Sequence, residues 1–164
     1  MEHFNAASEE DLAQALLSCL HSHRWTGRVA DHRPYPDLDS LLAAADEAAY
    51  DLGWSDLTEA LAAEPLPALP PDTYAAAHTA LSAAHAAYEA RFGHVFVICL
   101  AGVSPSETLD RLLEAIRSRL TNDPEEERTV VADELRRLAK ERLVGTLRDA
   151  GNCALDHSGP TPGR

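Results

Sequence analysis

Residues Tyr88–Asp123, YEARFGHVFVICLAGVSPSETLDRLLEAIRSRLTND, hold the reading on which the fold turns. They join the most apolar run of the chain, Val95–Leu100, to a helix with clear start and stop signals. The run is β-rich in composition and reads locally as a strand, although periodicity alone does not separate so short a run from a buried helical segment. Ser104, Pro105 and Glu107 then supply an N-cap, a proline at the first helical position and a capping-box acid. Leu109, Leu112, Leu113, Ile116 and Leu120 form one stripe of this helix, which stops near Asn122. Asp123, Pro124 and Glu126 repeat the start signal and open a last helix reaching about Thr146.

Upstream, Ser8 can cap a helix whose apolar face is Leu12, Ala15, Leu16 and Cys19, ending near His23. The segment WTGRVADHRPYPDLD is interrupted by Gly27, Pro34 and Pro36, with room for a short helical turn over Trp25–Val29. From about Asp39, Leu42, Ala45, Ala49 and Leu52 make a second stripe, and Gly53 stands where a left-handed C-terminal cap is expected. A short helix follows from Ser55 to about Ala63. Pro65, Pro67, Pro70 and Pro71 then enforce a stiff, extended loop. An alanine-rich helix runs from Asp72 or Thr73 to Arg91, burying Leu81, Ala84, Tyr88 and Phe92, with Gly93 ending it and His78 and His85 beside the stripe.

The chain has 164 residues, 45% of them hydrophobic, which suits one domain. We expect that domain over residues 1–150, with 151–164 a disordered tail. A formal charge of −13, from 27 acidic against 14 basic side chains, argues against nucleic acid and against an anionic membrane surface. No window approaches the roughly 18 apolar residues of a membrane helix. The N-terminus MEHFNAASEEDL lacks the features of a secretory leader. Cys19, Cys99 and Cys153 are odd in number and widely spaced, as reduced thiols of a cytoplasmic protein would be, and Cys19 and Cys99 read as small core residues.

Two polar features interrupt this pattern. Arg142 follows Leu138 by four residues and Leu135 by seven, so it leaves the last helix from the middle of an apolar stripe. A guanidinium there needs a carboxylate, carbonyls or an anionic ligand, and both a structural ion pair and a ligand role are open. His78 and His85, at i and i+7, are too far apart for a one-turn metal pair, and no cysteine or carboxylate set completes a metal site. They read as satisfied or half-exposed histidines. No phosphate-cradling loop, Ser-His-Asp pattern or paired-cysteine motif is present.

The blocks SCLHSHRW, RPYPDLDSLLAAADEA, AAYEARFGHVFVICLAG and RLTNDPEEER followed by ERL, in that order, resemble the 2-oxo-4-hydroxy-4-carboxy-5-ureidoimidazoline (OHCU) decarboxylase family. The resemblance runs from about Phe4 to Leu147. It implies an all-α, compact single-domain helical bundle, which overrides the local strand reading at Val95. It also implies a homodimer and a cofactor-free lyase of urate catabolism, acting on a small-molecule substrate to release carbon dioxide and give (S)-allantoin. Arg142 matches the family's arginine in the last helix. Glu64 and Pro65 stand where the family has a His-Pro pair, and the family's Ser-x-x-Glu-Gln block is missing between Pro71 and Asp72. On this reading Glu64 and Arg142 carry the chemistry while Pro65, Val97 and Ile98 line the substrate position. Glu64 would need burial or a neighbouring anion to act in the histidine's place; otherwise it is a solvated acid at a helix end. A non-catalytic relative, binding a partner or another small anion on the same scaffold, is the alternative.

Overall fold

Side-chain caps set several of the helix starts in the computed structural model, which describes residues 1–156. Ser8 accepts the N–H of Asp11 and opens α2 (Glu9–Cys19), after a short α1 (Glu2–Ala6) that no side-chain cap announces. Helix α2 stops at Cys19 rather than His23. Leu20 turns extended, and the Ser22 hydroxyl accepts the Trp25 N–H to start a separate helix, α3 (His23–Asp31), in place of the expected turn. Asp37 caps α4 (Leu38–Tyr50) by accepting from Ser40. Gly53 is not a left-handed C-cap: its φ is −79°, and it is the N-cap of α5 (Trp54–Ala63), its N–H donating to Asp56.

The proline loop leads to α6 (Ala75–Phe92), which ends as expected at Gly93 in the left-handed region, φ 79°. The helix expected from Ser104 begins with a 3₁₀ turn, Pro105–Glu107, and continues as α7 (Thr108–Arg119). Asp123 accepts from the N–H groups of Glu125 and Glu126, and Glu126 returns a bond to the Asp123 N–H, so the box predicted for α8 is formed. Helix α8 spans Pro124–Asp156, ten residues past the expected end. Of the tail expected to be disordered, residues 151–156 therefore continue α8 and 157–164 lie outside the described residues.

Two apolar cores result. Helix α3 packs on α2 and α4, and both of these pack on α8, with Leu12, Leu16, Trp25, Leu41, Leu135 and Leu143 in the shared core. Helix α6 packs on α7 around Leu81, Tyr88, Leu112 and Ile116. Each fully buried side chain of this size contributes about 2 kcal/mol of transfer free energy. On α8 the buried stripe is Val131, Leu135, Ala139 and Leu143, so Arg142 sits at its edge and not in its middle.

Val95–Leu100 runs between the cores and is neither helix nor strand; no strand occurs among the described residues. Alternate side chains go to opposite sides. Val95 and Val97 join the first core, whereas Phe96, Ile98 and Leu100 join the second. That period of two is the local signal that reads as a strand. With no neighbouring strand, side chains satisfy part of its backbone: Arg119 donates to the Val97 carbonyl at 2.6 Å, and Glu134 accepts the Cys99 N–H at 2.7 Å.

Candidate functional site

Helix α5 ends at Glu64, whose backbone turns extended (φ −72°, ψ 131°) ahead of Pro65. The turn brings its carboxylate against α8. Arg142 Nη1 donates to Glu64 Oε1 at 2.7 Å and Nη2 to Oε2 at 2.8 Å, a bidentate pair across the molecule. The Glu64 side chain is 5% exposed, so it is not a solvated helix-end acid, while Arg142 is 31% exposed. Hydrogen bonding to the Glu64 carboxylate is the main cause that raises the Arg142 pKa further above its ordinary value.

A cavity of about 370 Å³ opens beside this pair. The loop from Glu64 to Ala68 forms one wall, Val97, Ile98 and Leu100 a second, and Leu138, Glu141 and Arg142 of α8 the third. All five residues expected from the sequence, Glu64, Pro65, Val97, Ile98 and Arg142, therefore line one space. Its volume is within the range of small-molecule sites.

The guanidinium is not used up by Glu64. Of its five N–H groups, two form the end-on fork to Glu64 and a third reaches the Cys19 carbonyl at 3.2 Å. Among the described residues Nε–H and the second Nη2–H have no protein partner. Those two donors form the side-on edge of the same planar fork, which fits a second carboxylate. One arginine can thus hold Glu64 and a substrate carboxylate together.

Sequence reasoning missed a second polar group, at the joint between the cores. Arg119 donates from Nε and Nη2 to Glu127 Oε1 at 2.8 and 2.6 Å, and from Nη2 to the Tyr88 hydroxyl at 3.2 Å. The Tyr88 hydroxyl donates to Glu127, and Asn122 donates to the other Glu127 oxygen at 2.9 Å. Glu127 is wholly buried and Arg119 stacks 4.4 Å from the Phe96 ring centre. Burial, and next the Glu127 bond, push the Tyr88 pKa up. A signal existed: Arg119 follows Leu112 by seven residues and Ile116 by three, and Glu127 precedes Val131 by four, so both stand on stripes. This network holds Val97 by its carbonyl and so sets the cavity's second wall.

Neither histidine of α6 enters the cavity. His78 is exposed, whereas His85 is buried rather than half-exposed, stacked on Phe96, with Nε2 lacking a partner. Cys19 is buried and Cys99 half-buried, its thiol donating to Glu141 at 3.2 Å, and burial raises both thiol pKa values. No group of three or more His, Cys, Asp or Glu among the described residues could hold a metal ion. No helix among them is long and apolar enough to cross a membrane.

Fold and cavity together define an all-α domain with a small-molecule-sized space flanked by a bidentate carboxylate–guanidinium pair. The family model of OHCU decarboxylase matches residues 5–144, and the chain belongs to that family. Among solved structures it is similar to (S)-allantoin synthase, with a TM-score of 0.70 and 18% identity over 88% of this chain. It covers 53% of that protein and so spans about half its length. It is also similar to an OHCU decarboxylase solved in the presence of (S)-allantoin, with a TM-score of 0.69 and 22% identity, covering 85% of this chain and 97% of the other. At these identities the structural likeness shows the fold. No curated protein matches the chain at a significant level.

Proposed function

We propose that this chain is a carboxy-lyase of urate breakdown that converts OHCU to (S)-allantoin and carbon dioxide in the Arg142 cavity. Family membership over residues 5–144 supports the reaction. The single observation that carries the site is the Glu64–Arg142 pair on the wall of the cavity, with two guanidinium N–H donors left without a protein partner for the carboxylate that will leave.

In this reading the guanidinium orients the substrate so that the bond to the carboxylate breaks with its electron pair moving into the ring. A proton from solution must then reach the ring carbon on one face. Two acids line the cavity, Glu64 and Glu141, and Glu64, which is held by Arg142, carries that proton by exchanging one of its two bonds to Arg142 for an O–H. Val97 and Ile98, apolar and buried, exclude water from the reacting face. A homodimer, action in the cytoplasm and a small molecule as the partner belong to the same proposal.

The test generates OHCU freshly from urate and follows the circular dichroism of (S)-allantoin with and without the protein. Formation faster than the spontaneous decay is expected, with Arg142→Ala and Glu64→Gln each losing most of the acceleration. No acceleration by the wild-type chain would sink the proposal. It would leave the alternative, a relative that keeps the scaffold without the chemistry and in which the Glu64–Arg142 pair is purely structural.

A further inference from the structure

A second and larger space, about 740 Å³, lies between α7, the Cys99–Val103 loop and α8. Arg111, Arg137, Lys140 and Arg148 line it. Four of the 14 basic side chains of a chain carrying a net −13 thus converge on one groove. Elsewhere Arg28, Arg119, Arg128, Arg136 and Arg142 each pair with a carboxylate at 3.0 Å or less, and Arg33 and Arg91 donate to backbone carbonyls.

In the groove the pairing is poor. Arg111 meets Glu114 only at 4.0 Å and Arg137 meets Glu134 at 3.6 Å, with both arginine side chains more than half exposed. Among the described residues Lys140 and Arg148 have no ion-pair partner. Arg137 and Lys140 are three residues apart on α8, where like charges repel.

The floor is suited to something other than water. Val103 and Val144 present apolar surface, and Gly145 stands in the middle of α8, where an added Cβ would meet nothing within 4 Å. A glycine inside a helix is unfavourable relative to alanine, and here it leaves room for a close approach to the backbone. Of the residues lining this groove, only Glu141 also lines the Arg142 cavity.

We propose that this groove binds a small, multiply charged anion with phosphate-type oxygens and an apolar body, at a site separate from the Arg142 cavity. Guanidinium forks match phosphate oxygens and the lysine adds a point charge, in an open groove whose volume is in the range of ligand sites. Four cations within one groove, with Gly145 leaving the helix backbone approachable between them, favour a small anion that can reach several of them at once. The assignment does not depend on the decarboxylase reading.

Titration calorimetry of the full chain with inorganic pyrophosphate, at low and at moderate salt, tests it. Saturable binding of one pyrophosphate per chain is expected, weakening as salt rises. Arg137→Gln/Lys140→Gln should bind at least about tenfold more weakly, since each charge-assisted bond is worth a kcal/mol or more. Arg148→Gln, a single exposed change at the far end of the groove, should weaken binding too. Arg117→Gln/Arg128→Gln, which removes the same charge elsewhere, and Arg142→Ala should bind as the wild type does. Unchanged affinity in the groove variants overturns the proposal, as does loss of binding in Arg142→Ala, which would place the anion in the other cavity. So would groove variants that change the chain's mass in light scattering while leaving pyrophosphate binding intact, because the groove would then engage an acidic protein surface.

Discussion

Glu64 and Arg142 form an asymmetric pair, and the asymmetry decides what each substitution does. Arg142→Ala strands a carboxylate that is 5% exposed, whereas Glu64→Gln leaves a guanidinium that is 31% exposed and still bonded to the Cys19 carbonyl. We expect losses of about 3 kcal/mol for the first and about 1 kcal/mol for the second, below the range for fully buried pairs in the latter case because solvent reaches the arginine. Urea denaturation checks this, and equal losses would mean that the carboxylate is better solvated than its surroundings suggest. His85 makes a pH-dependent contribution. Burial lowers its pKa from the ordinary 6.5, so the folded chain keeps it neutral while the unfolded chain takes up a proton first. Its contribution is complete above about pH 6.5 and is lost as pH falls through the lowered folded value. His85→Leu should flatten the fall in melting temperature below pH 6.5 without lowering it at pH 7.5, because Nε2 has no partner to lose.

At the scale of elements, two glycines give opposite signs. Gly93 closes α6 at φ 79°, a conformation that a side chain resists even though nothing lies within 4 Å of the added Cβ. Gly93→Ala should cost about 1 kcal/mol. Gly27 lies inside α3, again with nothing within 4 Å, and Gly27→Ala should stabilise by about 0.5–1 kcal/mol. Thermal unfolding of the two variants reads both signs. The same scale explains the Val95–Leu100 segment: its side chains alternate as a strand's do, but it lies between helices and borrows hydrogen bonds from Arg119 and Glu134.

For the molecule as a whole, the Arg119 network is the joint. It ties α6 through Tyr88, α7 through Arg119 itself, α8 through Glu127 and the extended segment through Val97. Arg119→Ala leaves a wholly buried carboxylate and a bare carbonyl, and should cost about 3–5 kcal/mol. Arg119→Lys should recover only part of this, since one ammonium cannot reproduce the fork to Glu127 and still reach Val97. Chemical denaturation followed by circular dichroism tests both. Because Val97 lines the cavity, either change should also slow (S)-allantoin formation more than its effect on stability at the assay temperature explains.

What the chain reveals by reading alone is whatever rests on neighbours within about four residues. Ser8, the Asp123–Glu126 box, Gly93 and the proline loop are legible because caps, left-handed stops and missing N–H groups act locally. Arg142 and Glu64 stood out, the first by its place beside apolar residues and the second by its match to a family position. Yet their pairing spans 78 positions and no periodicity encodes it. The helix end expected near His23 and the C-cap expected at Gly53 differ from the structure for a related reason, since Ser22 and Gly53 each lie where one helix ends as the next begins and the boundary goes to the side chain that captures the nearest free N–H. Tertiary structure alone decided which stripe residues are buried, that Arg119 and Glu127 meet, and that the Glu64–Arg142 pair lies on the wall of a cavity. Burial depends on which helix lands opposite, and that is a property of the packed chain.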